Sequence, residues 1–406
     1  MIRRWQETNL LLALKNRRAV HLTGARQCGK TTLASTLPSP SYRNITLDDA
    51  AYLAAAQMDP AGFVNRQPDE TLIIDEIQKA PELLNAIKMR LDHDNSRGQY
   101  LLTGSSNLRF AKAVKDSLAG RLGTIRLRTL SRGEIQGTDG NFLKQAFSRD
   151  FPVDVSGFDK REIIRLAFCG GYPEVLELED GGRRDWFEDY IHDLLVKDIR
   201  DVTEIRKVDA LRKVANWLLA HSSKFFEMND LCTKAQLAKE TVSNYLAALQ
   251  SLYVFDGVAP WSSNDYARLG KRTKYFASDP GLVANLLGWS EERAYIDGDS
   301  SGKLVETWVY HELASLVDLD RSYALTQYRD SDKREIDFIV EGLDDAALGI
   351  EVKAGSVVSP SDFTHLKWFA RNLAKGSFTG IVLYTGHATL RFGEGFFDVP
   401  MGALTM

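Results

Sequence analysis

The sequence predicts an α/β protein with three parts: an open sheet with helices on both faces, a helical and winged-helix segment, and a last domain of order α-β-β-β-α-β. Three observations lead to this fold class. A glycine-rich loop joins an apolar strand to a helix near the amino terminus. Two amphipathic helices joined by a turn lie mid-chain, and strands that alternate charged and apolar residues lie near the carboxyl end. We expect segment boundaries at 1–135, 136–227, 228–280 and 281–406.

Length and composition limit the class of protein. The chain has 406 residues, with 51 basic and 55 acidic side chains and a net charge of −4, which argues against a protein that coats nucleic acid over its whole surface. Its three cysteines are too far apart for a disulfide framework or a CxxC zinc site. No apolar run approaches the roughly 18–20 residues that span a bilayer. We therefore expect a cytoplasmic protein with no membrane partner.

The glycine-rich loop is the first candidate binding site. Ala19 to Leu22 have the pattern of a short buried strand, which continues into GARQCGKT and the helical segment TTLASTL. In this context GxxxxGKT is typical of a phosphate-binding loop, in which Lys30 reaches the β- and γ-phosphates and the Thr31 hydroxyl binds Mg²⁺. The sequence predicts that ATP and Mg²⁺ are bound by Gly24, Ala25, Arg26, Gln27, Cys28, Gly29, Lys30, Thr31 and Thr32.

A second apolar strand ends in two acidic residues. The run ETLII is followed by Asp75 and Glu76, and ligands bind where the carboxyl ends of parallel strands meet. We expect Asp75 to hold Mg²⁺ through water and Glu76 to polarise the water that attacks the γ-phosphate, as in a hydrolase. The alternative is that Glu76 only caps the helix that starts near Pro81.

Further polar groups are expected near the nucleotide. A third strand ends at Thr103 and is followed by Ser105 and Asn107, either of which could sense the γ-phosphate; a plain polar turn is the alternative. Arg121 precedes the last strand of the predicted sheet. It could act on the nucleotide of its own chain, act as an arginine finger on a neighbouring subunit in a homo-oligomer, or form a surface ion pair.

The middle of the chain has helix-turn-helix spacing. Residues 228–252 have the pattern of a short helix, a turn and a second helix with its apolar residues on one face, and strands at 253–258 and 274–277 would form a wing. Polar and basic residues at the start of the second helix and along the wing are predicted to contact DNA: Lys239, Thr241, Ser243, Asn244, Arg268, Lys271, Arg272 and Lys274. Docking of a protein partner is the alternative use of this segment.

Two strands near the carboxyl end alternate charged and apolar residues. Period two places Glu351 and Lys353 on one face of a strand, and Asp337 lies on the preceding strand. An acid followed by Glu-x-Lys resembles the PD-(D/E)xK nuclease core, although Ile336 stands where that motif has proline. Glu306, on the helix before the sheet, is similar to the extra carboxylate of resolvase-like members. In such a site Glu306, Asp337 and Glu351 would bind Mg²⁺, and Lys353 would orient or help deprotonate the attacking water. The alternative is a strand with one solvated face.

The runs LTGARQCGKTTL, LIIDEIQKAP, LLTGSSN and LAGRLGTIRL resemble the AAA-type ATPase half of a widespread prokaryotic family of predicted ATPases. In that family a P-loop domain is joined to a winged helix and a restriction-endonuclease-like domain. The remaining chain is similar in GGYP at 170–173, DPGL at 279–282 and GKLVE at 302–306. The resemblance covers nearly the whole chain and implies the architecture more firmly than a biochemical role.

The first hypothesis is an ATP-hydrolysing protein that engages duplex or branched DNA, as a DNA-processing motor or an ATP-gated, metal-dependent nuclease. The alternative is a nucleotide-dependent switch that binds DNA or a protein partner without cleaving it. The full set of three carboxylates and Lys353 favours the first hypothesis, whereas the net acidity and the modest basic patch favour the second.

Overall fold

A computed structural model describes most of the chain. The described residues are 2–37, 42–67, 69–104, 118, 120–155, 158–198, 208–262 and 272–406. Ser105, Asn107, Arg268 and Lys271, which the sequence assigns to nucleotide or DNA binding, lie outside them.

A five-stranded parallel sheet forms the amino-terminal part, in the order β2-β3-β4-β1-β5. Its strands are β1 (Ala19–Gly24), β2 (Tyr42–Thr46), β3 (Thr71–Asp75), β4 (Tyr100–Gly104) and β5 (Leu122–Leu127). Its helices are α1 (Gln6–Asn16), α2 (Lys30–Ser35), α3 (Ala50–Met58), α4 (Pro60–Phe63) and α5 (Leu83–His93), with a 3₁₀ turn at Ile77–Lys79.

Both faces of this sheet are buried, which explains why its strands are continuous apolar runs. Along β3, Leu72 and Ile74 pack into one hydrophobic cluster, whereas Ile73 packs into another on the opposite face. Alternate side chains of a strand point to opposite faces, so an unbroken apolar run indicates a sheet covered on both sides. The parallel sheet with helices on both faces is the one that the sequence predicts.

A helical region follows the sheet. It contains α6 (Arg132–Gln136), α7 (Phe142–Ser148), α8 (Lys160–Cys169), a 3₁₀ segment at Pro173–Glu177, α9 (Asp180–Asp193), a π-helical turn at Leu194–Asp198 and α10 (Val208–Ala220). Next come α11 (Met228–Ala235) and α12 (Lys239–Ser251), an antiparallel pair of strands, β6 (Phe255–Val258) and β7 (Lys274–Ala277), and then α13 (Pro280–Leu286) and α14 (Glu291–Ile296).

A six-stranded mixed sheet forms the carboxyl-terminal part, in the order β12-β13-β11-β10-β9-β8. Its elements are α15 (Gly298–Leu319), β8 (Ala324–Arg329), β9 (Glu335–Glu341), β10 (Ala347–Lys353), a 3₁₀ turn at Pro360–Phe363, α16 (Thr364–Asn372), β11 (Phe378–Tyr384), β12 (Leu390–Gly393), β13 (Phe396–Pro400) and a 3₁₀ turn at Met401–Thr405. Strands β8, β9 and β10 are antiparallel neighbours, and β10 pairs in parallel with β11.

The parts of the chain share one continuous core. A single cluster of buried residues includes Leu22 of β1, Phe187 of α9, Leu246 of α12 and Phe338 of β9. Helix α1 also contacts the carboxyl-terminal part of the chain, because the Gln6 side-chain amide donates to the carbonyl of Asp318 in α15 at 2.7 Å. Within the described residues, no helix combines the length and the apolar character needed to cross a bilayer.

Candidate nucleotide site and carboxylate cluster

The loop between β1 and α2 has the backbone shape that its two glycines allow. Gly24 has φ +154°, and a Cβ at this position would lie 2.1 Å from the carbonyl oxygen of Leu127. Gly29, which precedes α2, has φ +98°. Side chains other than hydrogen are disfavoured at both positions, so the two glycines of GxxxxGKT are required by this loop.

Lys30 is buried inside the loop that it follows. Its Nζ donates to the carbonyl oxygens of Ala25 at 2.7 Å and Gly24 at 3.2 Å. Both acceptors are uncharged, which leaves the ammonium group available to a charged acceptor that entered the loop.

Arg4 braces this loop from the amino-terminal segment. Its guanidinium donates to the carbonyl of Cys28 at 2.7 Å and to that of Arg128 at 2.7 Å, and it pairs with Glu134 at 3.0 Å. The side chain is buried. The sequence does not indicate this role, because Arg4 belongs to none of the recognised motifs and its partners are 24 to 130 residues away along the chain.

Thr31, Asp75 and Thr103 meet at the carboxyl edge of the sheet. The Thr31 hydroxyl donates to one carboxylate oxygen of Asp75 at 2.9 Å, and the Thr103 hydroxyl donates to the other. This contact exists because β4 lies between β1 and β3, so the ends of the three strands are adjacent. The hydroxyl and carboxylate oxygens are the ligand types that Mg²⁺ prefers.

Glu76 has a left-handed backbone, with φ 56° and ψ 41°. This conformation is uncommon for a residue other than glycine and is often found at functional sites. Its carboxylate accepts a hydrogen bond from the Gln78 amide. Burial first and the neighbouring Asp75 second raise the pKa of Glu76 above its ordinary value.

Lys30, Thr31 and Glu76 line a cavity of about 750 Å³, a size in the range of small-molecule sites. The loop and the start of α2 contribute Arg26, Gln27, Gly29, Lys30, Thr31 and Thr32 to its lining. The helical region closes the cavity with Pro173, Glu174 and Glu177, and the amino-terminal segment closes it with Ile2, Arg3 and Arg4. The sequence does not predict these last two walls.

The position of Arg121 corrects one prediction. Arg121 lies at the amino end of β5, where its carbonyl accepts from the Ala19 N–H at the start of β1. The phosphate-binding loop follows the opposite, carboxyl end of β1, so Arg121 is on the wrong edge of the sheet to act on its own chain's nucleotide. Its guanidinium lies 2.6 Å from Asp92, which is the surface ion pair that the sequence leaves as an alternative.

The first four residues predicted to contact DNA occupy an accessible part of the helix-turn-helix. Lys239, Ser243 and Asn244 are exposed at the start of α12 and Thr241 is half-buried, whereas Leu249 on the other face is buried. Arg272, before β7, is exposed and forms an ion pair with Glu227.

The position of Lys274 corrects a second prediction. Its side chain is only 1% exposed, so it cannot contact DNA in this conformation. Lys274 instead points from β7 into the carboxyl-terminal domain, where its Nζ lies 2.5 Å from Glu306, 3.1 Å from Glu335 and 3.2 Å from Asp337. The charge pattern near the wing suggested a surface patch, but the pairing of β7 with β6 turns this lysine inward.

The predicted magnesium set of Glu306, Asp337 and Glu351 is not arranged as a metal site. Among the described residues, no group of three or more histidine, cysteine or acidic side chains is positioned to hold a metal ion. Glu306 and Asp337 pair with Lys274, and a second oxygen of Asp337 accepts from the Val352 N–H at 2.9 Å. The set omitted Glu335, which lies two residues before Asp337 on β9, because the nuclease motif that it follows has a single acid on this strand.

Glu351 and Lys353 occupy the end of β10 beside this cluster. Burial first and the nearby Asp337 second raise the pKa of Glu351. Lys353 is 41% exposed, and its Nζ lies 3.4 Å from Asp362. Lys353 therefore pairs with an acid outside the predicted set.

Asp279 of the DPGL run joins three parts of the chain. Its buried carboxylate accepts from the Thr129 hydroxyl at 2.7 Å and from the Gly171 N–H at 2.8 Å. The Thr129 hydroxyl also lies 2.9 Å from His311 Nε2 on α15. The GGYP and DPGL runs thus hold the helical region against the sheet.

Three family models match successive parts of the chain. Residues 16–136 match a model described as an AAA domain, which confirms the predicted AAA-type P-loop domain. Residues 160–293 and 301–404 match models described as domains of unknown function, DUF8612 and DUF4143. These two descriptions assign no activity.

Two mycobacterial proteins are similar along most of the chain. The uncharacterized protein Rv2008c of Mycobacterium tuberculosis is 26% identical over 363 residues, which covers 86% of this chain and 74% of that protein. The uncharacterized protein Mb2031c of Mycobacterium bovis matches with the same values.

Among solved structures, the Thermotoga maritima RuvB Holliday junction branch migration motor aligns with 63% of this chain and 89% of its own length. The identity is 18% and the TM-score is 0.29. A variant of the same motor has 19% identity and a TM-score of 0.28. A likeness this low supports no conclusion about function.

Proposed function

We propose that this protein binds and hydrolyses ATP with Mg²⁺ and uses its nucleotide state to control the engagement of DNA by the helix-turn-helix segment. The observation that carries the proposal is that Lys30, Thr31 and Glu76 line one cavity in a domain of the AAA type, while Asp75 accepts a hydrogen bond from Thr31. Magnesium would neutralise charge on the transferred phosphoryl group. The donor set fits this ion, since a hydroxyl and a carboxylate are already side by side.

Each residue of the cavity has a separate task in this proposal. Lys30 would exchange its two carbonyl acceptors for phosphate oxygens, and Thr31 and Asp75 would hold the metal. Glu76 would accept a proton from the attacking water. Its backbone direction and its hydrogen bond with Gln78 hold its carboxylate at the cavity wall.

The proposed DNA contact rests on the exposed start of α12. Lys239 supplies a positive charge for the phosphate backbone, and Ser243 and Asn244 supply hydrogen-bonding groups. Arg272 adds a second exposed cation near the wing.

A chain of buried polar contacts supports communication between nucleotide and DNA sites. Thr23, the residue before the phosphate-binding loop, shares a 2.5 Å hydrogen bond with the hydroxyl of Tyr253, which follows α12. Strand β5 adds a second link, because Arg126 and Arg128 both pair with Asp256 of β6, at 2.8 and 2.7 Å. A shift of the loop would therefore change the contacts of Tyr253 and Asp256, where the wing begins.

The test combines hydrolysis with DNA binding. Purified protein is incubated with labelled duplex, forked and four-way DNA in the presence of Mg²⁺ and either ATP or ADP. We expect ATP turnover and a DNA affinity that differs between the two nucleotides. Lys239→Ala should reduce the salt dependence of DNA binding by about one phosphate contact, or roughly 0.9 in slope, whereas the exposed Lys144→Ala on α7 should leave the slope unchanged. No turnover, or equal DNA affinity with both nucleotides, would contradict the proposal.

A metal-dependent nuclease gated by ATP is the second candidate. The observation that favours it is the element order from α15 through β8, β9, β10 and α16 to β11, with Asp337 and Glu351 on adjacent strands. The same incubation tests it. Cleavage that requires Mg²⁺ and is lost in Asp337→Ala, with ATP turnover retained, would establish it; intact DNA under every metal and nucleotide condition would exclude it.

A further inference from the structure

The ammonium group of Lys274 occupies the centre of an acidic pocket. Its Nζ hydrogen bonds with Glu335 and Asp337 and forms a 2.5 Å ion pair with Glu306. The four residues come from three elements, β7, α15 and β9. Two aromatic rings complete the enclosure, since the Nζ lies 5.4 Å from the ring centre of Phe225 and 5.8 Å from that of Phe276.

In the structure these three carboxylates face an ammonium group and are not positioned to hold a metal ion, although carboxylate oxygens are ligands that divalent cations take. Magnesium and calcium bind carboxylate oxygens at about 2.0–2.6 Å. In this structure a single positive charge already holds three carboxylates, and Arg329 lies 3.8 Å from the second oxygen of Glu335. A metal ion could enter only if it displaced the lysine and its hydrogen bonds.

We propose that Lys274 is the resident cation of this pocket and takes the place of a divalent metal ion, so that the native protein binds no metal there. The lysine belongs to the hairpin that follows the helix-turn-helix, whereas the carboxylates belong to the carboxyl-terminal domain. The winged segment thus supplies the cation that closes the pocket. Any metal-dependent reaction in this domain would first require β7 to withdraw Lys274. The inference does not depend on ATP hydrolysis.

Direct measurement of metal binding tests the inference without any assay of activity. Mn²⁺ is titrated into nucleotide-free protein and bound ion is followed by electron paramagnetic resonance. The Asp75→Asn substitution is present in every sample, to weaken binding at the phosphate loop. We expect no Mn²⁺ at the carboxyl-terminal pocket of this background protein, and about one bound ion per chain when Lys274→Ala is added. Lys274→Arg, which keeps a cation, should again bind none.

The newly created site should depend on the pocket's own acids. Adding Glu306→Gln to the Lys274→Ala protein should weaken its Mn²⁺ binding at least about tenfold, because one anionic ligand is lost. Thermal unfolding gives a second readout: Mn²⁺ should raise the melting temperature of the Lys274→Ala protein and leave that of the Lys274→Arg protein unchanged.

Two results would overturn the inference. One is Mn²⁺ binding by the protein with native Lys274 that disappears in Asp337→Asn, since the lysine would then not exclude metal. The other is the absence of an acquired site in Lys274→Ala. If that variant does not fold without metal, it is refolded in the presence of Mn²⁺: folding that depends on Mn²⁺ supports the inference, and failure to fold with Mn²⁺ counts as the absence of an acquired site. ATP turnover, measured with native Asp75, separates a failure here from a failure of the proposed function.

Discussion

Two buried lysines in this protein have opposite surroundings. Lys30 donates to two uncharged carbonyl oxygens of its own loop, in a cavity of about 750 Å³. Lys274 lies among three carboxylates and two aromatic rings. A buried ammonium with neutral acceptors can gain from a phosphate anion, whereas one whose charge is already compensated cannot. A buried lysine therefore indicates ligand binding only where its hydrogen-bond acceptors can be exchanged for those of a ligand.

The largest expected effect concerns Glu76, the proposed general base of ATP hydrolysis. Glu76→Gln should bind ATP normally and lose about 100- to 10,000-fold in turnover, because an amide cannot accept the proton of the attacking water. Phosphate release measured at saturating ATP tests this, with the exposed Glu188→Gln on α9 as the matched control. Turnover within a few-fold of the wild type would show that Glu76 is not the base of ATP hydrolysis.

The second prediction concerns a compensated anion, Asp256, the counterpart of Lys274. Burial alone would raise the pKa of Asp256, but Arg126 and Arg128 outweigh burial and hold the pKa well below its ordinary value. Asp256→Asn should lower the free energy of unfolding by about 3–5 kcal/mol at neutral pH, because Arg126 and Arg128 lose the carboxylate that they share and Arg128 keeps only its ion pair with Asp318. Urea denaturation measures the loss, and the exposed Asp185→Asn on α9 is the control.

The same pair gives a pH dependence with a defined sign. A carboxylate with a depressed pKa contributes stability above its unfolded pKa of about 3.9 and loses it as the pH falls toward the folded value. The stability difference between wild type and Asp256→Asn should therefore shrink on acidification from neutral pH. A difference that stays constant down to about pH 3 would show that folding does not lower the pKa of Asp256.

The third prediction compares how substitutions of Lys30 and Lys274 change the affinity for ATP. Lys30→Ala should weaken ATP binding by about 2–5 kcal/mol, or roughly 30-fold or more, because the phosphates lose their buried cation. Lys274→Arg and the exposed Lys144→Ala should leave ATP affinity unchanged. Isothermal calorimetry measures all three. Unchanged affinity in Lys30→Ala would mean that its carbonyl contacts are not exchanged for phosphate.

The smallest expected effect concerns the contact between Thr23, next to the phosphate loop, and Tyr253, which follows α12. Tyr253→Phe removes the hydrogen bond to Thr23 and should lower the free energy of unfolding by about 0.5–1.5 kcal/mol. It should also reduce the difference in DNA affinity between the ATP and ADP states. Tyr52→Phe, on the exposed face of α3, is the control. An undiminished nucleotide effect on DNA binding would mean that the signal travels through β5 and Asp256 instead.

Local signals were sufficient for the amino-terminal site. Gly24, Gly29, Lys30 and Thr31 lie within one loop, so their spacing alone specifies their geometry. Asp75 was predictable because an apolar strand that ends in an acid indicates the carboxyl edge of a buried sheet. The role of Arg121 stayed open because its distance from the loop along the chain gives no information about which edge of the sheet it occupies.

At the carboxyl-terminal acidic cluster, local sequence patterns are not sufficient. Alternation along β9 and β10 brings acids to the end of the sheet, but it cannot show which cation lies among them. Lys274 comes from β7, and 61 residues separate it from Glu335. The side chain of Lys274, whose charge suggested a DNA-binding surface, is 1% exposed in the folded chain.

By itself, the sequence determined the parallel sheet, the phosphate-binding loop and the helical periodicities, since each depends on residues within a few positions of one another. Only the tertiary structure decided that Arg4 braces the loop, that the helical region closes the nucleotide cavity and that Lys274 fills the acidic pocket. The physical reason is that electrostatic and packing energies depend on distance in space, and residues far apart along the chain become neighbours only when the whole core assembles.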